Sequence, residues 1–144
     1  MIKYFIFFLC LILPYSLKAE WQEYEKLKHQ DSIWSMIWND DIINAEKSSI
    51  WIYHGTNYEK EFQEAKSVII KSKISCYKNN THTVHNLKMN FYSQQQKNPP
   101  KANFLRENLI SSVTSNDMEW KPLSCKYGYI KLCKLVCKRY FNID

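Results

Sequence analysis

The chain starts with Met1 and Lys3, runs through an almost unbroken apolar stretch from Tyr4 to Leu13, and closes that segment with Pro14-Tyr15-Ser16-Leu17-Lys18-Ala19. A positive start, an apolar centre and a small final residue are the parts of a secretory signal peptide. An apolar run of about ten residues is well short of the roughly 20 needed to cross a bilayer. Residues 1–19 are therefore read as a leader and residues 20–144 as a single secreted, extracellular domain. This reading fixes the cysteine arithmetic: Cys10 belongs to the leader, and Cys76, Cys125, Cys133 and Cys137 remain. An even number of cysteines in an oxidising compartment predicts two disulfides, with three connectivities open. A zinc site would have to add His82 and His85, but Cys76-x5-His82-x2-His85 and Cys133-x3-Cys137 match no familiar finger spacing, so no metal is expected. Asn79-Asn80-Thr81 is a glycosylation sequon at Asn79, flanked by polar residues.

The hydrophobic period changes along the chain. Trp21, Tyr24, Leu27, Ile33, Trp34, Ile37 and Trp38 recur at threes and fours, which predicts one or two short amphipathic helices over residues 20–38. Ser48 to Gly55 is β-branched and aromatic and stops at one of the chain's 2 glycines, the pattern of a strand. Thr56-x-x-Glu59 has the form of a capping box, whereas Val68, Ile70, Ile74 and Cys76 alternate, which predicts a short helix or loop and then a strand over 67–77. Val84, Leu87, Met89 and Phe91 oppose Lys88 and Asn90, with one slip near Asn86 that a β-bulge would absorb. Gln94 to Pro100 reads as a connection. Leu109, Ser111 and Val113 alternate again, Ser115-Asn116-Asp117 reads as a turn, and 118–123 and 129–137 read as two more strands. Helix is the rival for the last segment, because Ile130, Cys133 and Cys137 would share one helical face. Five or six strands preceded by one helix predict a mainly β fold, a closed or nearly closed antiparallel barrel.

His29-Gln30-Asp31-Ser32-Ile33-Trp34, then Ile50-Trp51-Ile52-Tyr53-His54-Gly55-Thr56-Asn57-Tyr58, then Ile74-Ser75-Cys76, stand in an order that resembles the tick salivary lipocalins, the histamine-binding protein family. Asp117-Met118-Glu119-Trp120-Lys121-Pro122-Leu123 and Leu132-Cys133-Lys134-Leu135 resemble that family's later paired strands, so the likeness spans roughly residues 29–137. It implies a lipocalin-like antiparallel β-barrel with an N-terminal helix, secreted in saliva. It also implies that the protein sequesters small host mediators, either biogenic amines such as histamine or serotonin, or leukotriene and fatty-acid lipids, without catalysis. Two departures matter. The family's aspartate after the cysteine is Lys134 here, which weakens amine binding, and the later glutamate-leucine-tryptophan strand is missing, which implies an incomplete barrel.

Charge and aromatics favour the lipid branch of that expectation. Without Lys3 and Lys18, 18 basic groups face 14 acidic ones, a net charge of +4. The basic residues are scattered apart from Lys131, Lys134, Lys138 and Arg139, so no nucleic-acid stripe is present. A cationic amine needs inward carboxylates and aromatic faces. Trp51, Tyr53, Phe91 and Trp120 are the candidate pocket aromatics, but Glu59, Glu61, Glu64 and Glu107 fall at strand ends or in connections. A small hydrophobic or amphiphilic anion suits the charge better, with Arg106 or Lys88 as its partner. A host protein is the alternative partner, through exposed aromatics and the Lys131–Arg139 cluster. An enclosed apolar pocket would favour the small ligand, and a filled core with an exposed patch would favour the protein. His29, His54, His82 and His85 lie in no catalytic motif, and no GxSxG, HExxH or phosphate-binding glycine loop occurs, so neither enzymatic activity nor a cofactor is expected.

Overall fold

The computed structural model describes residues 20–97, 106–116 and 121–144. The leader 1–19 and residues 118–120 of the expected strand over 118–123, Trp120 among them, lie outside the described residues. Six strands form one antiparallel sheet in chain order: β1 (Trp21–His29), β2 (Ser32–Ala45), β3 (Ser49–Phe62), β4 (Ala65–Ser75), β5 (Thr83–Tyr92) and β6 (Leu109–Thr114). A two-residue strand, β7 (Leu123–Ser124), pairs with the start of β5, and helix α1 (Ile130–Phe141) follows. Among the described residues β1 and β6 each have a single neighbouring strand, so the sheet is open. The expected mainly β class holds, and the expected barrel is not closed.

The N-terminal helix expected over 20–38 is instead the hairpin β1–β2. His29 pairs with Ser32 across Gln30 and Asp31, with Gln30 in the left-handed region at φ 51°. Two features imitate a helical period there. A bulge between Glu23 and Glu25 displaces Tyr24 by one position, giving Trp21, Tyr24 and Leu27 a spacing of three. In β2 both faces carry apolar groups, Ile33 and Ile37 on one and Trp34 and Trp38 on the other, so the alternation is hidden. The capping-box reading at Thr56 is also overturned. β3 runs on to Phe62, Thr56 pairs with Met36 and Val68, and its hydroxyl donates to Met36 Sδ at 3.2 Å. The β3–β4 turn is Gln63-Glu64, both residues at positive φ (50° and 67°), a backbone that Asn-Gly would have advertised and Gln-Glu does not. The slip near Asn86 is a bulge, since Lys71 faces Lys88 and Ser72 faces Asn86, leaving Leu87 unpaired.

The strand favoured over 129–137 is replaced by its rival, helix α1. It buries Leu132, Cys133, Val136 and Cys137, the one-sided i, i+1, i+4, i+5 stripe of an amphipathic helix. That stripe packs on Trp38, Ile50, Ile52, Ile74 and Val84 and forms the main core. The helix ends at Asn142, left-handed at φ 51°, where the Asn142 N–H donates to the Lys138 carbonyl and the Ile143 N–H to that of Cys137. Two disulfides fix it: Cys76–Cys137 ties it to the end of β4, and Cys125–Cys133 to the preceding loop. They are compatible with an oxidising, extracellular setting. On the opposite face of the sheet Trp21, Ile37, Ile69 and Tyr92 form a second cluster with Tyr53. Gly55 lies in the row between Ile37 and Ile69, and a Cβ there would meet the Val68 carbonyl oxygen at 2.1 Å. A third cluster unites Tyr58, Ala65, Val68 and Ile70 with Trp34, Met89 and Phe91. No helix among the described residues is long and apolar enough to cross a membrane.

Candidate functional site: a basic groove beside the helix

Both disulfides converge on one end of α1. Cys76 ends β4, the chain turns through Tyr77–Asn80 with the Asn80 N–H bonded to the Tyr77 carbonyl, and His82 follows. The Cys125 N–H donates to the His82 carbonyl at 3.2 Å, so the loop that carries the second disulfide is zipped to this turn. Between turn and helix lies an open groove of about 630 Å³, with Ile130 and the Cys125–Cys133 disulfide among its lining and with Lys126, Lys134 and Lys138 around it. Lys138 pairs with Asp144 at 3.4 Å, and Lys131, on the other flank of the helix, pairs with Glu25 at 3.0 Å. Lys126 and Lys134 have no carboxylate partner among the described residues. An apolar-lined concavity with uncompensated ammonium groups is chemically suited to an amphiphile with an anionic head.

The residues singled out from sequence are not brought together. Trp51 and Tyr53 share the sheet face turned away from α1, because their neighbours Ile50, Ile52 and His54 alternate toward the helix side. Phe91, on the α1 side, pairs with Val68 and packs in the third cluster. Arg106 is exposed, Trp120 lies outside the described residues, and Lys88 stands beside Lys71 on the next strand. The groove is lined by none of Trp51, Tyr53, Phe91 and Arg106. Trp51 is already engaged, with Lys71 Nζ 5.3 Å and Lys73 Nζ 5.8 Å from its ring centroid. A ring flanked by two of the protein's own ammonium groups is a poor receptor for a cationic amine. Trp34 stacks edge-on with Tyr58 and Phe62, while Trp38 is buried in the main core.

Of the four histidines, His29 is exposed, His85 is half-buried, and His54 and His82 are buried. His82 is buried, its Nδ1 accepts the Tyr77 N–H at 2.9 Å, and burial lowers its pKa. His54 is fully buried at the centre of the sheet, and burial drives its pKa from 6.5 to about 3. It belongs to a polar chain that sequence reasoning missed, since Ser72 and Asn86 looked like ordinary strand residues. The Ser72 hydroxyl donates to Asn86 Oδ1 at 2.7 Å, so its oxygen accepts the His54 Nε2–H at 2.8 Å. Asn86 Nδ2 donates in turn to Tyr129 Oη at 3.0 Å. The direction of those bonds decides their meaning. A serine activated by histidine must donate its proton to the imidazole, whereas here it donates away from it. This hydrogen-bonded series pairs His54 Nε2, Ser72 and Asn86 beneath α1, and with Ser72 donating to Asn86 it does not present the serine to His54 as a nucleophile. Cys76, His82 and Cys137 place ligand-type atoms within 4.8 Å of one another, but both sulfurs are spent in the disulfide and offer a metal no thiolate.

No family model, curated protein or solved structure matches the chain.

Proposed function

We propose that this protein is a non-catalytic extracellular binding protein that holds small amphiphilic anions, of the fatty-acid or leukotriene type, in the groove beside α1. One observation carries the reading: the groove of about 630 Å³ joins an apolar lining at Ile130 and the Cys125–Cys133 disulfide to Lys126 and Lys134, neither of which has a carboxylate partner among the described residues. Its size lies within the range of ordinary ligand sites. In the setting that the resemblance to tick salivary lipocalins implies, the ligand is a host lipid mediator and the biological act is sequestration. Biogenic amines fit less well, because the unpaired charges at the groove are cationic.

The test is calorimetric titration of the oxidised protein with oleate, a leukotriene, histamine and serotonin. Saturable one-to-one binding of the anions, lost in Lys134→Glu, supports the reading. Amine binding in preference to the anions overturns it. A second reading, a module that binds a host protein, is favoured by the openness of the sheet and of the groove and by a main core already filled with side chains. A folded protein that binds none of the four ligands moves the assignment there.

A further inference from the structure

The sequon at the rim of this groove has its own geometry. Asn79 and Thr81 are both exposed on the turn between β4 and β5, and Asn80 between them is left-handed at φ 61°. Asn79 Oδ1 accepts two bonds from Thr81, one from its hydroxyl at 2.5 Å and one from its backbone N–H at 3.3 Å. The turn is thus held through the oxygen of the Asn79 amide, while Nδ2, the atom that would carry a sugar, has no hydrogen-bond partner among the described residues. The next residue, Asn80, lines the groove of about 630 Å³ and two smaller concavities beside it, of about 480 and 260 Å³. Asn79 is thus one residue from the lining of all three, within reach of a bulky substituent on its side chain.

We propose that Asn79 carries an N-linked glycan and that this glycan is a size filter over the basic groove, admitting small molecules and excluding macromolecules. In the transfer, Asn79 Nδ2 loses a proton and forms a C–N bond to the anomeric carbon of a lipid-pyrophosphate-linked oligosaccharide. The C–O bond to pyrophosphate breaks, and the lipid pyrophosphate departs with the bonding electron pair. Among the described residues the attachment atom takes part in none of the hydrogen bonds that shape the turn, so the glycan breaks none of them. Lys126, Lys134 and Lys138 line the groove that Asn80 also lines, whereas Lys88 belongs to the sheet and lines none of these concavities.

The filter needs no assumption about the ligand, so its test is separate from that of the proposed function. The full chain is secreted from a eukaryotic cell line and its mass is measured before and after amidase deglycosylation in heavy-oxygen water, which converts a glycosylated asparagine to labelled aspartate. The expected result is loss of a glycan mass with the label at Asn79, and absence of both in Thr81→Ala. The glycosylated and deglycosylated proteins are then acylated with a small acetylating ester and with a polyethylene-glycol ester of about 5 kDa. Deglycosylation is expected to raise bulky labelling of Lys126 and Lys134 at least threefold, leaving their acetylation and all labelling of Lys88 unchanged. An unmodified Asn79 in the secreted protein overturns the proposal, as does bulky labelling of Lys126 and Lys134 that is indifferent to the glycan.

Discussion

His54 couples protonation to folding. In the unfolded chain its imidazole takes up a proton near pH 6.5, but in the folded protein burial holds it neutral down to about pH 3. The unfolded state therefore binds more protons throughout that interval. Stability is full above pH 6.5 and falls as the pH drops toward 3, with a limiting slope from this group of about 1.4 kcal/mol per pH unit. His82, lowered in the same direction, adds to the loss within the same range. Urea unfolding of the wild type and of His54→Gln at pH 7.5 and 4.5 checks this, and a variant as pH-sensitive as the wild type would sink it. Ser72→Ala strands the His54 Nε2–H and Asn86 Oδ1 together, both inside the core. A loss of about 1–3 kcal/mol in unfolding free energy is expected, measurable by the same titration. None of this was legible in the sequence, because His54, Ser72 and Asn86 meet only through the register of three strands, and register is a non-local property.

Among the elements, those legible in advance were the strands with one buried face and clean alternation. β4 shows this over its second half, where Ile70, Ser72 and Ile74 are buried and Lys71 and Lys73 are not, although Ile69 before them is buried on the opposite face. Those missed either buried both faces, as β2 does with Trp38 on one side and Ile37 on the other, or turned through residues without a turn signature, as at Gln63-Glu64. For α1 the shared helical face of Cys133 and Cys137 was visible in the sequence as the rival reading, and burial of Leu132 and Val136 beside them decides for it. At β3, Gly55→Ala puts a methyl group against the Val68 carbonyl, and two paired strands must separate to admit it. The expected cost is about 2–3 kcal/mol, read from the thermal midpoint and calorimetric enthalpy. The two disulfides differ in the chain they close, 61 residues for Cys76–Cys137 against 8 for Cys125–Cys133. Chain entropy assigns them about 4 and about 2.5 kcal/mol respectively. Paired replacement by alanine should therefore lower stability more for Cys76/Cys137 than for Cys125/Cys133, and the reverse order would place the stabilisation in native contacts instead.

Across the whole molecule, charge and apolar surface are assembled by elements far apart in sequence. The sequence displays Lys131, Lys134, Lys138 and Arg139 as a cluster, but it does not show that α1 sends Lys131 to one flank and Lys134 and Lys138 toward the groove. Nor does it show that Asn80 and His82 form the opposite wall. That wall depends on the Cys125 N–H bond to the His82 carbonyl and on the two disulfides, contacts that spacing alone left open among three connectivities. The aromatic residues do not gather around one interior, because in an open sheet packed by a helix they fill clusters on both faces. The consequence for binding is quantitative. If Lys126 and Lys134 hold an anionic head at an exposed rim, the attraction is screened over about 8 Å at physiological ionic strength and over about 3 Å in 1 M salt. Oleate affinity should fall several-fold from 0.05 to 0.5 M NaCl. Lys126→Gln with Lys134→Gln should weaken binding about tenfold at low salt, equivalent to about 1.4 kcal/mol, and flatten the salt dependence. Trp51→Ala, on the other face of the sheet, should leave both the affinity and its slope unchanged. Fluorescence displacement titrations at the two salt concentrations measure all three proteins together. A Trp51 variant that loses binding while the lysine variant keeps it would transfer the site to the face away from α1.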